Sequence, residues 1–167
     1  MQTRTGRLSG EGAGLGLIAG VILAVAEMIV SAIMGSSAVL PLRLFGSVLL
    51  GRSALTDISA GTAILVGVVV HLALSAAFGA LYGLLSTRVS DRTRTSSGRE
   101  AGLGMLYGAA LWLINFQIIA RLFYPWMLLT PQFTQLVLHA VFYGLPLGLM
   151  FASEERRRVP HQVPRAV

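Results

Sequence analysis

Four stretches of the chain are so long and so apolar that they decide its environment before anything else is read. They are Ala13–Met34, Ala60–Leu85, Ala101–Ala120 and Phe133–Ala152. Each reaches the roughly 20 residues an α-helix needs to cross a hydrocarbon core about 30 Å thick. Glu27 is the only residue inside them that carries a formal charge. In lipid the backbone has no water to bond, so such runs cross as helices. The expected fold is all-α, an integral membrane four-helix bundle over residues 13–152. A cytoplasmic segment, residues 1–12, precedes it, and a basic cytoplasmic tail, residues 153–167, follows.

Charge placement gives the orientation. Only 12% of residues are charged, about half of what a soluble surface carries. All 13 basic residues are Arg, as the codon bias of a GC-rich bacterial genome would produce. Ten of them (Arg4, Arg7, Arg88, Arg92, Arg94, Arg99, Arg156, Arg157, Arg158 and Arg165) flank the runs on one side, and three (Arg43, Arg52 and Arg121) on the other. The richer side is expected to be cytoplasmic, which puts the protein in a bacterial inner membrane with both termini inside. Arg at the ends of apolar runs meets anionic headgroups. It forms no basic face interleaved with aromatics, so nucleic acid is not an expected partner. The run Phe123-Tyr124-Pro125-Trp126 reads as an aromatic belt on the outer side. A cleaved leader is not expected, because a signal core is about 7–15 residues long and Ala13–Met34 is longer.

The first outer connection contains Leu40–Leu50, apolar but too short to span. It reads as a short interfacial or re-entrant segment after the first helix, started by Pro41 and ended by Gly51.

Inside lipid, helices associate through small residues that admit close backbone approach. Each run has such a stripe at four-residue spacing: Gly12, Gly16, Gly20 and Ala24; Ser75, Gly79 and Gly83; Gly104 and Gly108; Ala140, Gly144, Gly148 and Ala152. The string Gly-x-Leu-Tyr-Gly occurs at Gly79–Gly83 and at Gly104–Gly108. We read it as the stripe repeated and not as a duplication.

Intramembrane polar groups are costly, and each needs a reason. At 100° per residue, Glu27 shares a face with Gly20, Ala24 and Ser31, His71 with Ser75 and Gly79, and Asn115 with Gly104 and Gly108. By depth, Glu27, His71, Ser75 and Asn115 are candidates for one buried polar site in the outer half. It would serve as a proton relay, a small-ligand site or a metal site built from Glu27 and His71, or as hydrogen-bonded glue between helices. Gln132, Gln135, His139 and Tyr143 lie on the fourth helix nearly opposite its small-residue stripe. They are interface candidates, expected to face a second copy or another membrane protein. Two His on separate helices raise haem ligation, but the opposed faces and unequal depths argue against it. With no Cys, thiolate catalysis and Cys-ligated metals are excluded. Neither a cofactor, a metal site nor a catalytic set is expected, and an enzyme is the least favoured reading.

Several short strings make up a resemblance. They are Pro41-Leu42-Arg43, His71-Leu72-Ala73-Leu74-Ser75, Leu81-Tyr82-Gly83, Tyr107-Gly108, Trp112-Leu113-Ile114-Asn115-Phe116, Tyr124-Pro125-Trp126 and Leu147-Gly148. Together they resemble a group of small bacterial four-span membrane proteins of unassigned function, some of which carry the label sodium:proline symporter. The resemblance implies the four-span fold and leaves the function open. Symporters of that kind use two inverted repeats with broken helices. These 167 residues hold room for one half, and only the fourth span contains a proline. The functional expectation is a non-catalytic scaffold or accessory subunit of a membrane assembly. The alternative is a small oligomeric transporter or channel using the Glu27/His71 site.

Overall fold

The computed structural model describes residues 3–158, and over that range the chain forms helices and no strand. Arg165 and the rest of the tail beyond 158 lie outside the described residues. Four helices are long and apolar enough to cross a membrane: α1 (Arg4–Ile33), α3 (Ala60–Ser86), α5 (Ser97–Phe123) and α6 (Gln132–Arg158). A shorter helix, α2 (Leu40–Leu50), follows α1, and a single turn, α4 (Asp91–Arg94), joins α3 to α5. Glycine pairings set α1 against α3 and α5 against α6, each pair antiparallel. One end of the bundle therefore gathers the start of α1, the end of α3, the start of α5 and the end of α6. It is called here the basic end, and the opposite one, with Tyr124 and Trp126, the aromatic end.

The helices overrun the apolar runs at the basic end. The segment read as an N-terminal extension is the first two turns of α1, begun where the Thr3 hydroxyl accepts the Gly6 N–H at 3.2 Å. Arg7 and Glu11 pair one turn apart at 3.0 Å, and α6 likewise continues six residues past Ala152, to Arg158. Hydrophobicity marks where a helix must be, and capping and ion pairs decide where it stops.

Packing within each pair is backbone on backbone. A methyl group at Gly16 would lie 2.7 Å from the Gly79 Cα, and one at Gly12 would lie 3.1 Å from the Gly83 Cα. In the other pair, a methyl at Gly104 would lie 3.1 Å from the Gly148 Cα, and at Gly108 2.9 Å from the Ala140 Cα. Both Gly-x-Leu-Tyr-Gly strings thus supply glycine faces, and their tyrosines bridge the pairs. The Tyr82 hydroxyl donates to Glu100 on α5, and the Tyr107 hydroxyl donates to the Phe78 carbonyl on α3 at 2.7 Å. The rings meet edge to face, centroids 5.2 Å apart.

Two of the four residues expected to face a second chain, His139 and Tyr143, lie instead inside this one, because α6 sits between α5 and α1. His139 and Tyr143 are buried, and Tyr143 donates to the Ser75 carbonyl at 2.8 Å. Gln132 accepts from the Gln117 amide at 3.1 Å. The sequence shows two faces that avoid lipid. It does not show that a central helix has a neighbour for each.

Two segments widen to five-residue hydrogen-bond spacing, Leu113–Ala120 in α5 and Leu138–Gly144 in α6. The second precedes Pro146, which has no N–H to offer the preceding turn. Helix α6 passes through the proline unbroken by adopting the wider turn, a usual remedy for a disturbed ladder.

Helix α2 begins with Pro41 in its first turn and ends at Gly51, whose φ of 68° favours glycine. It packs antiparallel on α3: a methyl at Gly67 would lie 2.8 Å from the Leu42 carbonyl carbon, and one at Gly46 would lie 3.2 Å from that of Ala63. Ser31 on α1 donates to the Ser37 carbonyl at 2.8 Å, so the chain folds back along α1 before α2 starts.

Candidate functional site

Two cavities open where α2, the wide turns and the aromatic end converge. The larger, about 300 Å³, lies between α1, α2 and the parts of α5 and α6 nearest the aromatic end. Glu27 lines it from α1. Its side chain is 4% exposed, and one carboxylate oxygen is fully buried with no hydrogen-bond partner. No described residue hydrogen-bonds to it or pairs with it. Gln135, across the cavity on α6, also buries its side-chain oxygen without a partner. Phe45, Phe116, Leu44, Leu138 and Met127 supply apolar walls.

The second cavity, about 60 Å³, holds His71, Ser75, Asn115, His139 and Tyr143. The His71 Nε2–H donates to the Gly20 carbonyl at 2.8 Å, joining α3 to α1. His139 bonds the Gln135 carbonyl through Nδ1 at 2.9 Å. The space suits one or two waters and not a porphyrin. Among the described residues no group of three or more His, Cys, Asp or Glu stands close enough to hold a metal ion.

The sequence reading that joined Glu27, His71 and Asn115 in one pocket is therefore half corrected. His71, Ser75 and Asn115 do share a cavity, and His139, expected to face away, joins them. Glu27 faces the other one. Phe45 of α2 divides them: it lines both cavities, and its ring stacks on His71 with centroids 4.2 Å apart. The helical wheel of one span carries no sign of an inserted segment, so this division was not readable.

At the basic end an ion network closes the bundle. Arg94 is 1% exposed. Its Nε donates to Glu155 at 3.1 Å, and its remaining N–H groups reach Asp91 and the carbonyls of Ser86 and Val89. Glu155 also accepts from Arg7 at 2.8 Å, and Arg158 pairs with Glu11 at 2.6 Å. Glu100 is fully buried beside this network. Sequence reading missed these residues as a site because they sit in segments taken for solvated loop and tail. The signals were the four-residue spacing of Arg7 and Glu11, and Glu100 at the edge of an apolar run.

No family model matches the chain. The curated proteins and the solved structures likewise give no match. Function must be argued from these cavities and their closure.

Proposed function

We propose that the chain is a multi-pass membrane protein of the bacterial inner membrane that binds a small molecule in the cavity beneath α2 and transports it. Glu27 carries this reading. A buried carboxylate with no partner is an expense that folding alone does not explain. An unpaired polar group at the wall of a largely apolar cavity is the usual make-up of a ligand site. The surface supports membrane residence: Ile18, Val21, Val25 and Ile29 run exposed along one face of α1, and Leu65 and Leu106 stand out from α3 and α5. Such apolar area needs lipid or a partner. The arginine asymmetry makes the aromatic end the outer one. The cavity then faces outward, and the Arg94–Glu155 network shuts the inner end, as one state of an alternating transporter requires.

The chain contains no Cys, so single cysteines report cleanly. Thr134→Cys on the cavity wall should react with a membrane-impermeant maleimide added to intact cells. Ser96→Cys at the basic end should react only after permeabilisation. Labelling of Thr134→Cys from the inner side alone, or only after denaturation, overturns the reading.

A further inference from the structure

One group on the wall of the larger cavity limits what it takes. Glu27 is the only ionisable residue among those that line it. Gln135 presents an unpartnered oxygen. Ser31 and Thr130 also line the cavity, but each commits its hydroxyl hydrogen elsewhere, to the Ser37 carbonyl at 2.8 Å and the Met127 carbonyl at 2.7 Å. Ser36 and Thr134 line it as well, and no hydrogen bond among the described residues engages their hydroxyls or the Gln135 amide N–H groups. Arg43, the one cation on α2, is turned away and donates to the Ala54 carbonyl at 3.0 Å. The first turn of α2, Leu40 and Pro41, borders the cavity.

A lone carboxyl with no cation beside it offers a counter-charge to a ligand that donates hydrogen bonds and carries one positive charge, and offers an anion none. The rest of the wall sets its body. Phe45 and Phe116 offer ring faces that attract a cation, and Met34 and Met127 adapt their shape to an apolar neighbour. We propose that the cavity takes a primary or secondary ammonium ion on an apolar body, with Glu27 as its counter-ion and Gln135 as a second acceptor. The proposal rests on the ligand-binding reading above. It goes further in excluding anions, neutral molecules of the same shape, and polar zwitterions.

Three probes of one shape decide it: 1-adamantylamine, 1-adamantanol and 1-adamantanecarboxylate, which are cationic, neutral and anionic at neutral pH. They are added to the Thr134→Cys chain in lipid nanodiscs, and the rate of maleimide labelling is followed. The amine should protect the cysteine at a concentration at least tenfold below the alcohol, and the carboxylate should not protect. Adding Glu27→Gln should remove the amine's advantage over the alcohol. Equal protection by alcohol and amine, protection by the carboxylate, or an amine advantage that survives in Glu27→Gln overturns the ammonium assignment. Absence of protection by any probe does the same. In every one of these cases, maleimide labelling from outside still upholds the open cavity, so the two proposals fail separately. If Glu27→Gln does not fold, the charge series on the Thr134→Cys chain decides alone.

Discussion

Gly16→Ala adds one methyl group where α1 and α3 touch, and its cost can be worked from the contact. The new carbon would lie 2.7 Å from the Gly79 Cα and 3.0 Å from the Gly79 nitrogen, against an ordinary contact beginning at 3.4 Å. Both are backbone atoms, so no side chain can swing aside. The Ser75 carbonyl oxygen is nearer still, so the helices must part by at least roughly 0.7 Å, the gap between 2.7 and 3.4 Å. Overpacking of this kind costs about 1–3 kcal/mol. One turn away, the His71 bond to the Gly20 carbonyl at 2.8 Å would stretch past useful length, losing about 0.6 kcal/mol. Gly14→Ala is the matched control: two residues along the same helix, with nothing within 4 Å of the added carbon. There the helix gains about 0.5–1 kcal/mol from alanine's lower backbone entropy. Gly16→Ala should therefore fall below Gly14→Ala by about 2–4 kcal/mol. The measurement is unfolding by SDS titration in mixed micelles, followed by tryptophan fluorescence. Stabilities equal within about 0.5 kcal/mol would refute backbone contact as the source of α1–α3 packing.

Glu27→Leu should raise stability in the same titration by about 1–3 kcal/mol, the cost of a buried unpaired polar group, while amine protection of Thr134→Cys is lost. A destabilised Glu27→Leu would mean that the carboxylate has a structural partner after all. Arg94→Leu should destabilise toward the lower end of the roughly 3–5 kcal/mol seen when one member of a buried ion pair is removed, because Glu155 keeps Arg7 at 2.8 Å. The same variant should slow outside labelling of Thr134→Cys as the inner end loosens. Unchanged stability would show the network to be solvated, and unchanged labelling would separate it from the cavity.

The parts of the fold that follow from local chemistry were legible in the sequence. Hydropathy alone locates the four long helices, and the glycine spacing marks the faces that α1, α3, α5 and α6 press together. Pro41 and Gly51 bracket α2 because one presets a helical φ and the other accepts a positive one. Glu27 shares the glycine face of α1 and is buried as that face requires. What escaped depends on which elements become neighbours. Phe45 reaches between Glu27 and His71 only because the chain folds back after α1 and lays α2 against α3, and nothing in either span records that. Gln135 and Glu27 share a cavity although they lie on helices at opposite ends of the chain. The ion network escaped for a different reason. Arg94, Glu155 and Glu11 read as solvated charges until the helices carrying them overrun their apolar runs and bring them together.

The central position of α6 has a consequence for how the protein is made. It is the last of the four long helices to leave the ribosome, and its most apolar window is 44% buried, the largest share of the four. The α1–α3 pair can close as soon as both helices are made, since its glycine contacts need nothing downstream. Helix α5 has no comparable partner until α6 arrives, because its own glycines, Gly104 and Gly108, face Gly144, Gly148 and the His139–Ala140 backbone. Nascent chains stopped between α5 and α6 thus hold one finished hairpin beside one stranded helix. That intermediate, with faces left uncovered that the finished fold buries, is the form a quality-control protease would meet.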